Sequence, residues 1–203
     1  APGLRRPPGR TRAGAAPPAR PYDDNNMNAH TYPRLVGDIG GTNARFAWIE
    51  RPGAPLDDAA TYPAAGTPTL IEAMKRYLAD HRKPTPRWCA IGIANPVVGD
   101  WVQMTNHHWS FSIAQVRREL GVERFLVLND FTALALSLPL LGPAELQPVG
   151  GGQPVARAPC GLIGPGTGLG VSGLMPSLSG RELVPLNGEG GHVSLSAAND
   201  REA

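Results

Sequence analysis

Several stretches of the chain carry side chains whose types and spacing suit chemistry on a phosphate. Asp38-Ile39-Gly40-Gly41-Thr42-Asn43 sets a carboxylate ahead of a glycine pair, a hydroxyl and an amide. Leu35, Val36 and Ile39 lead in and Phe46-Ala47-Trp48-Ile49 leads out, the pattern of strand, tight turn, strand. Gly40 and Gly41 let the backbone approach a ligand closely and aim N–H groups at one point. Thr42 adds a hydroxyl donor, and Asp38 stands where a carboxylate can hold Mg²⁺ through water. A plain β-hairpin fits the same residues, and the P-loop is excluded because no Gly-Lys-Ser/Thr follows. Gly164-Pro165-Gly166-Thr167-Gly168-Leu169-Gly170 has the same grammar, so the two loops can grip a polyphosphate from opposite sides. Between them Asn129-Asp130 follows Phe125-Leu126-Val127-Leu128, which puts a carboxylate at the end of a buried strand, well placed to act as a base. Asn and Asp also favour helix N-caps, and the two roles are compatible.

The elements that must position these residues alternate between strand and helix, which argues an α/β fold. After the first hairpin, Ala59–Tyr62 reads as a third strand. Leu70, Ile71, Met74, Tyr77 and Leu78 fall on one face of a helix over Thr69–His81, a core face rather than a ligand site. Trp88–Ala94 reads as a buried strand, Asn95-Pro96 as a turn and Trp101–Met104 as a further strand. Ser112-Ile113-Ala114-Gln115 has capping-box spacing, and Gly121 closes that helix. Phe131–Leu138 is a short apolar helix stopped by Pro139. Pro143–Pro159 is loop-like, and strands near Gly161–Ile163, Leu169–Leu174 and Glu182–Pro185 open a second unit.

Composition bounds the partners. The formal charge of +2 in 203 residues divides into +3 over residues 1–32 and −1 over the remainder, so the body has no basic excess for nucleic acid. No apolar run approaches the roughly 20 residues of a membrane span. Cys89 lies in an apolar run and Cys160 just before one, so both read as buried free thiols, with a single disulfide between them as the alternative; no Cys/His spacing suggests zinc. Residues 1–32 hold five Arg and six Pro and read as a disordered leader, with a natural start expected at Met27. No apolar stretch of a secretory signal follows Arg5-Arg6, and the prolines oppose a transit helix.

Five motifs occur in an order that resembles bacterial glucokinases of the proteobacterial type, in the hexokinase–actin–sugar-kinase superfamily. They are Gly37–Arg45, Met104-Thr105-Asn106-His107-His108-Trp109, Asn129-Asp130-Phe131-Thr132-Ala133, Gly166-Thr167-Gly168-Leu169-Gly170 and Gly188-Glu189-Gly190-Gly191-His192. The resemblance runs from about Leu35 to about Ser196. It implies a ribonuclease-H-like (actin/hexokinase-type) small domain over 33–142 and the beginning of a larger α/β domain over 143–203. It implies ATP-dependent phosphorylation of glucose to glucose 6-phosphate, with ATP and Mg²⁺, in the cytoplasm. Asp130 is then the base that takes the sugar hydroxyl's proton, and Asn129 fixes the sugar through its amide. Glu189 and His192 contact glucose, a carboxylate being able to take bidentate hydrogen bonds from vicinal hydroxyls. Gly40, Gly41, Thr42, Asn43, Gly166, Thr167 and Gly168 hold the phosphates, and Asp38 holds the metal through water. Unaided, the Glu189/His192 stretch also reads as a polar glycine turn. Asn106 and Trp109 are expected to pack rather than ligate, and adjacent His107 and His108 in an extended segment face opposite ways.

A glucokinase of this type is about twice as long as the body present here, so the resemblance also implies a truncated, poorly active chain. Its partners are glucose and ATP, with neither nucleic acid nor membrane, and a homodimer is open to the full-length protein. Two other readings remain: a non-catalytic sugar-binding or regulatory module of the same superfamily, and a kinase for another hexose.

Overall fold

A computed structural model describes residues 29–105, 108–165, 169–179, 182–188 and 190. Strands β1 (Arg34–Ile39), β2 (Asn43–Ile49), β3 (Asp57–Pro63), β4 (Trp88–Ile93) and β7 (Arg124–Asn129) form a five-stranded sheet in the order β3-β2-β1-β4-β7. β1, β2 and β3 pair antiparallel as a meander, while β1–β4 and β4–β7 are parallel. Parallel neighbours need crossovers, and helices α1 (Leu70–Asp80) and α2 (Ile113–Leu120) lie in those connections. A short hairpin of β5 (Trp101–Gln103) and β6 (Ser110–Ser112) precedes α2.

Alternation decides which side of the sheet is core. Leu35 and Ile39 on β1, Phe46 and Trp48 on β2, Ile91 and Ile93 on β4, and Phe125 and Val127 on β7 are all buried in one cluster. Leu70, Met74 and Tyr77 of α1 and Val116 and Leu120 of α2 close over them, so the helical face expected for 69–81 is the core face. Truncating one of these, for instance Leu70→Ala, carries the usual large-to-small cost of about 2–5 kcal/mol. Both helices start where the sequence says they should. Thr69 Oγ1 accepts the Glu72 N–H at 3.2 Å, and Ser112 Oγ accepts the Gln115 N–H at 3.1 Å. Only the Ser112 half of the expected capping box on α2 is made, and the Gln115 side-chain amide donates to Glu119 at 2.7 Å. Asp100 adds to this cap, accepting from the Ser112 hydroxyl and from the Ala114 N–H. Gly121 ends α2 with φ 71°, a left-handed conformation that favours glycine.

Helix α3 (Asp130–Ser137) lies on the opposite side of the sheet. A Cβ on Gly92 of β4 would meet Asp130 Cα at 3.5 Å and Ala133 Cβ at 3.6 Å, so α3 rests directly on that strand. Pro139 does not stop the chain turning at once; it sits inside a 3₁₀ turn, Leu138–Leu140. Beyond it β8 (Cys160–Pro165), β9 (Leu169–Pro176) and β10 (Leu183–Gly188) form a second, antiparallel sheet in the order β10-β9-β8. α3 packs against all three of its strands as well as β4 and β7, and is therefore shared between the sheets. Cys89 is buried as expected, and burial pushes its thiol well above the ordinary range. Cys160 is exposed, contrary to the expectation of a buried thiol: it starts the outer strand β8, whose side chains are mostly uncovered.

Candidate functional site

The parallel pairing fixes the site. Ile39 of β1 stands opposite Ile93 of β4, and Ile93 opposite Asn129 of β7. The chain therefore leaves the sheet on one level in three places: the Gly40–Asn43 turn, the Asn95-Pro96 turn and the Asn129-Asp130 pair. Two strand spacings separate the first from the last, about 10 Å.

At the hairpin, the Gly40 N–H donates to Asn43 O at 2.9 Å, and Thr42 O accepts the Ala64 N–H at 2.8 Å. The Gly40 amide thus serves the shape of the turn rather than pointing outward, while Thr42 is exposed. Asp38 sits opposite Arg45 across the β1–β2 ladder, and Arg45 Nη1 donates to Asp38 Oδ2 at 2.8 Å. Both side chains are more than half exposed, so the pair contributes about 0–1 kcal/mol and releases Asp38 at little cost. Among the described residues no group of three or more His, Cys, Asp or Glu could cage a metal. A lone carboxylate beside a glycine turn fits Mg²⁺ that arrives on phosphate oxygens and keeps its waters.

Of the two roles the sequence left open for the Asn129-Asp130 pair, the helix cap is made, and Asn129 makes it. Asn129 Oδ1 accepts the Thr132 N–H at 3.1 Å and so caps α3. Its Nδ2 donates to Asn95 O at 3.4 Å and to Asp130 Oδ1 at 3.1 Å. Asp130 Oδ1 also accepts the Phe131 N–H at 2.8 Å. The carboxylate is thereby oriented by its own helix start. A cavity of about 260 Å³ is lined by Pro96, Val97, Val98, Asn129, Thr132 and Asn187 among others; Asn129 and Thr132, on either side of Asp130 and Phe131 in sequence, reach it, while Asp130 itself is not in its lining.

The next two residues bind α3 to the second sheet. The Phe131 ring lies against Gly164 and Gly170, which flank the second glycine loop. The Thr132 hydroxyl donates to Asn187 Oδ1 at 2.8 Å, and Thr132 is buried. Asn187 precedes Gly188-Glu189 in sequence. Gly166, Thr167, Gly168, Glu189 and His192 lie outside the described residues, as do Asn106 and His107. What is described are the strand ends that carry them, and those ends meet the start of α3. Trp109 packs as expected: it is buried, and its indole N–H donates to Thr67 O at 2.8 Å.

Sequence reasoning missed Asn95, Phe131, Thr132 and Asn187. Asn95 is buried and ties the loop after β4 to β5. Its Nδ2 donates to Gln103 O at 2.9 Å, and its Oδ1 accepts from the Thr105 N–H and hydroxyl at 2.8 and 2.7 Å. The Asn-Pro dipeptide signalled a turn but not this junction.

Solved structures share the fold. A glucokinase from an Antarctic psychrotroph matches at 32% identity and a TM-score of 0.74, over 84% of this chain and 54% of that one. A glucokinase of the ROK family from Streptomyces griseus, solved in complex with glucose and AMPPNP, matches at 19% identity and a TM-score of 0.50, over 75% of this chain and 46% of that one. The fold is that of the actin- and hexokinase-like sugar kinases. Sequence narrows this further: the glucokinase family model matches residues 35–203, and the chain belongs to that family. The glucokinase of Aromatoleum aromaticum is 58% identical over 174 residues, 85% of this chain and 52% of the relative. That of Chromobacterium violaceum is 54% identical over 171 residues, 84% of this chain and 48% of the relative. The chain spans about half the length of the curated relatives it matches.

Proposed function

We propose that this chain carries the base and the phosphate-binding turns of an ATP-dependent glucose kinase. The observation that supports this most is the level pairing of Ile39, Ile93 and Asn129, which brings the Gly40–Asn43 turn and Asp130 to one edge of the sheet. Family membership, and the glucose and ATP analogue bound by the Streptomyces griseus neighbour, support the same reading.

Asn129 and Asp130 hold the sugar, with Glu189 and His192 as its further contacts. Gly40 shapes the first turn through its N–H to Asn43 O, Gly41, Thr42 and Asn43 receive the phosphates there, and Gly166, Thr167 and Gly168 are their further contacts. Asp130 accepts the proton of the glucose 6-hydroxyl as that oxygen forms its bond to the γ-phosphorus. The bond from the γ-phosphorus to the bridging β–γ oxygen breaks, and ADP leaves with the electron pair. Mg²⁺, when bound, neutralises phosphate charge, with Asp38 as its partner through water.

Among the described residues no helix is long and apolar enough to cross a membrane. A cytoplasmic location is part of the same proposal, because glucose phosphorylation feeds glycolysis. A homodimer belongs to the same proposal, tested by sedimentation. The activity is tested by glucose-dependent ADP formation with Mg-ATP. It is measured on this chain alone and joined to the remaining part of the Aromatoleum aromaticum glucokinase, with mannose and fructose as competing hexoses. Turnover on another hexose in preference to glucose, or none from a folded joined protein, would overturn the assignment.

A further inference from the structure

The residues that follow Asp130 connect it to a strand more than fifty positions away. Thr132 Oγ1 donates to Asn187 Oδ1 at 2.8 Å, across a sequence separation of 55. The same threonine donates its N–H to Asn129 Oδ1, and Asn129 Nδ2 donates to Asp130 Oδ1. Asn187, Thr132, Asn129 and Asp130 thus form one hydrogen-bonded run from β10 to the carboxylate.

Helix stability accounts for the Asn129–Thr132 amide bond of this run but not for the Thr132 hydroxyl's bond to Asn187. The α3 cap is complete without the Thr132 hydroxyl, because Asn129 caps through the Thr132 amide. A valine would fill the same buried volume, so the hydroxyl is there for its bond. That bond lies where α3 crosses from the first sheet to the second, and β10 ends one residue before Glu189.

We propose that Thr132 and Asn187 are positioning residues that hold the Asp130 carboxylate in register with β10. This rests on the reading of Asp130 as the base. Removing either member lets the start of α3 shift against β10, and a misplacement of about 1 Å at a reacting group costs on the order of a hundredfold in rate.

The test uses this chain with Thr132→Val, Asn187→Ala, the pair together, and Thr132→Ser. Urea midpoints give a double-variant cycle, and the ¹³C signal of the Asp130 carboxyl is followed through its titration. The expected result is that the double variant unfolds at the midpoint of the more affected single variant. Both single variants should displace the Asp130 titration in the same direction, and Thr132→Ser should leave it in place. Additive midpoint shifts, or an Asp130 titration untouched by Thr132→Val, would overturn the proposal. Failure of the kinase reading looks different: Asp130→Asn would leave glucose-dependent ADP formation intact while the cycle still showed coupling.

Discussion

Phe131 covers Gly164 so closely that a Cβ there would stand 2.8 Å from two atoms of its ring, and one on Gly170 would fall closer still. Phe131 follows Asp130 directly, so the residue beside the proposed base is seated on both flanks of the second glycine loop. These glycines therefore have a packing reason to lack a side chain, in addition to any role in admitting a phosphate.

Gly170→Ala should force α3 away from β9 and destabilise the chain by about 1–3 kcal/mol, the usual cost of overpacking. Measured in a Phe131→Ala background, the same substitution should cost less than about 0.5 kcal/mol, because the ring it collides with is gone. Urea unfolding of the four proteins checks this, and equal costs in both backgrounds would refute the contact.

Tyr77 is fully buried in an aromatic cluster with Phe46 and Tyr62, and its hydroxyl has no hydrogen-bond partner among the described residues. Tyr77→Phe should be neutral at pH 7 or stabilising by about 1 kcal/mol, since it removes a buried polar group that makes no bond. Burial pushes the phenol up to about 12. The unfolded chain loses this proton near pH 10, so stability falls as pH rises from there towards 12. Tyr77→Phe should lessen that alkaline loss, which a set of thermal melts between pH 9 and pH 12 would reveal.

Asp100 lies in the opposite pH window. The Ser112 hydroxyl, then the Ala114 N–H, hold its carboxyl below the usual range. A depressed folded value gives stability that is present above about pH 4 and lost as pH falls through the folded value. Asp100→Asn should therefore be less stable than the parent at pH 7 and approach it as pH drops towards 2. A gap that stays constant with pH would mean that charge plays no part in this cap.

Much of the first sheet was legible because its signals are local. Leu70, Met74 and Tyr77 recur at helical spacing, Thr69 and Ser112 announce their helices, and Gly121 ends one. The β1–β2 hairpin follows from apolar runs on either side of Gly40-Gly41. β6 was not legible, because Ser110–Ser112 is too short to show alternation. Its partner Trp101–Gln103 was read, but not the hairpin they make.

The site was legible only as separate motifs. Asp130 was readable as a carboxylate at a strand end, and Asn129 as a cap. Their convergence with the Gly40 turn depends on strand register, which no single stretch encodes. The Thr132–Asn187 bond and the Phe131 seat join residues far apart in sequence, and the types involved carry no signal of their own. Asp38 was read as a metal partner; its cross-strand bond to Arg45 depends on the hairpin register and became visible only with it.

The central claim is that Asp130 takes the proton from the sugar. It is tested most directly by glucose-dependent ADP formation in the protein joined to the remaining part of the Aromatoleum aromaticum glucokinase, with and without Asp130→Asn. The account predicts turnover with Asp130 and a loss of about 10²–10⁴-fold in kcat with Asn, whose amide cannot accept the proton. The unfolding midpoint should be little changed, because an Asn oxygen can still accept the Phe131 N–H. Turnover that survives the substitution would contradict the account.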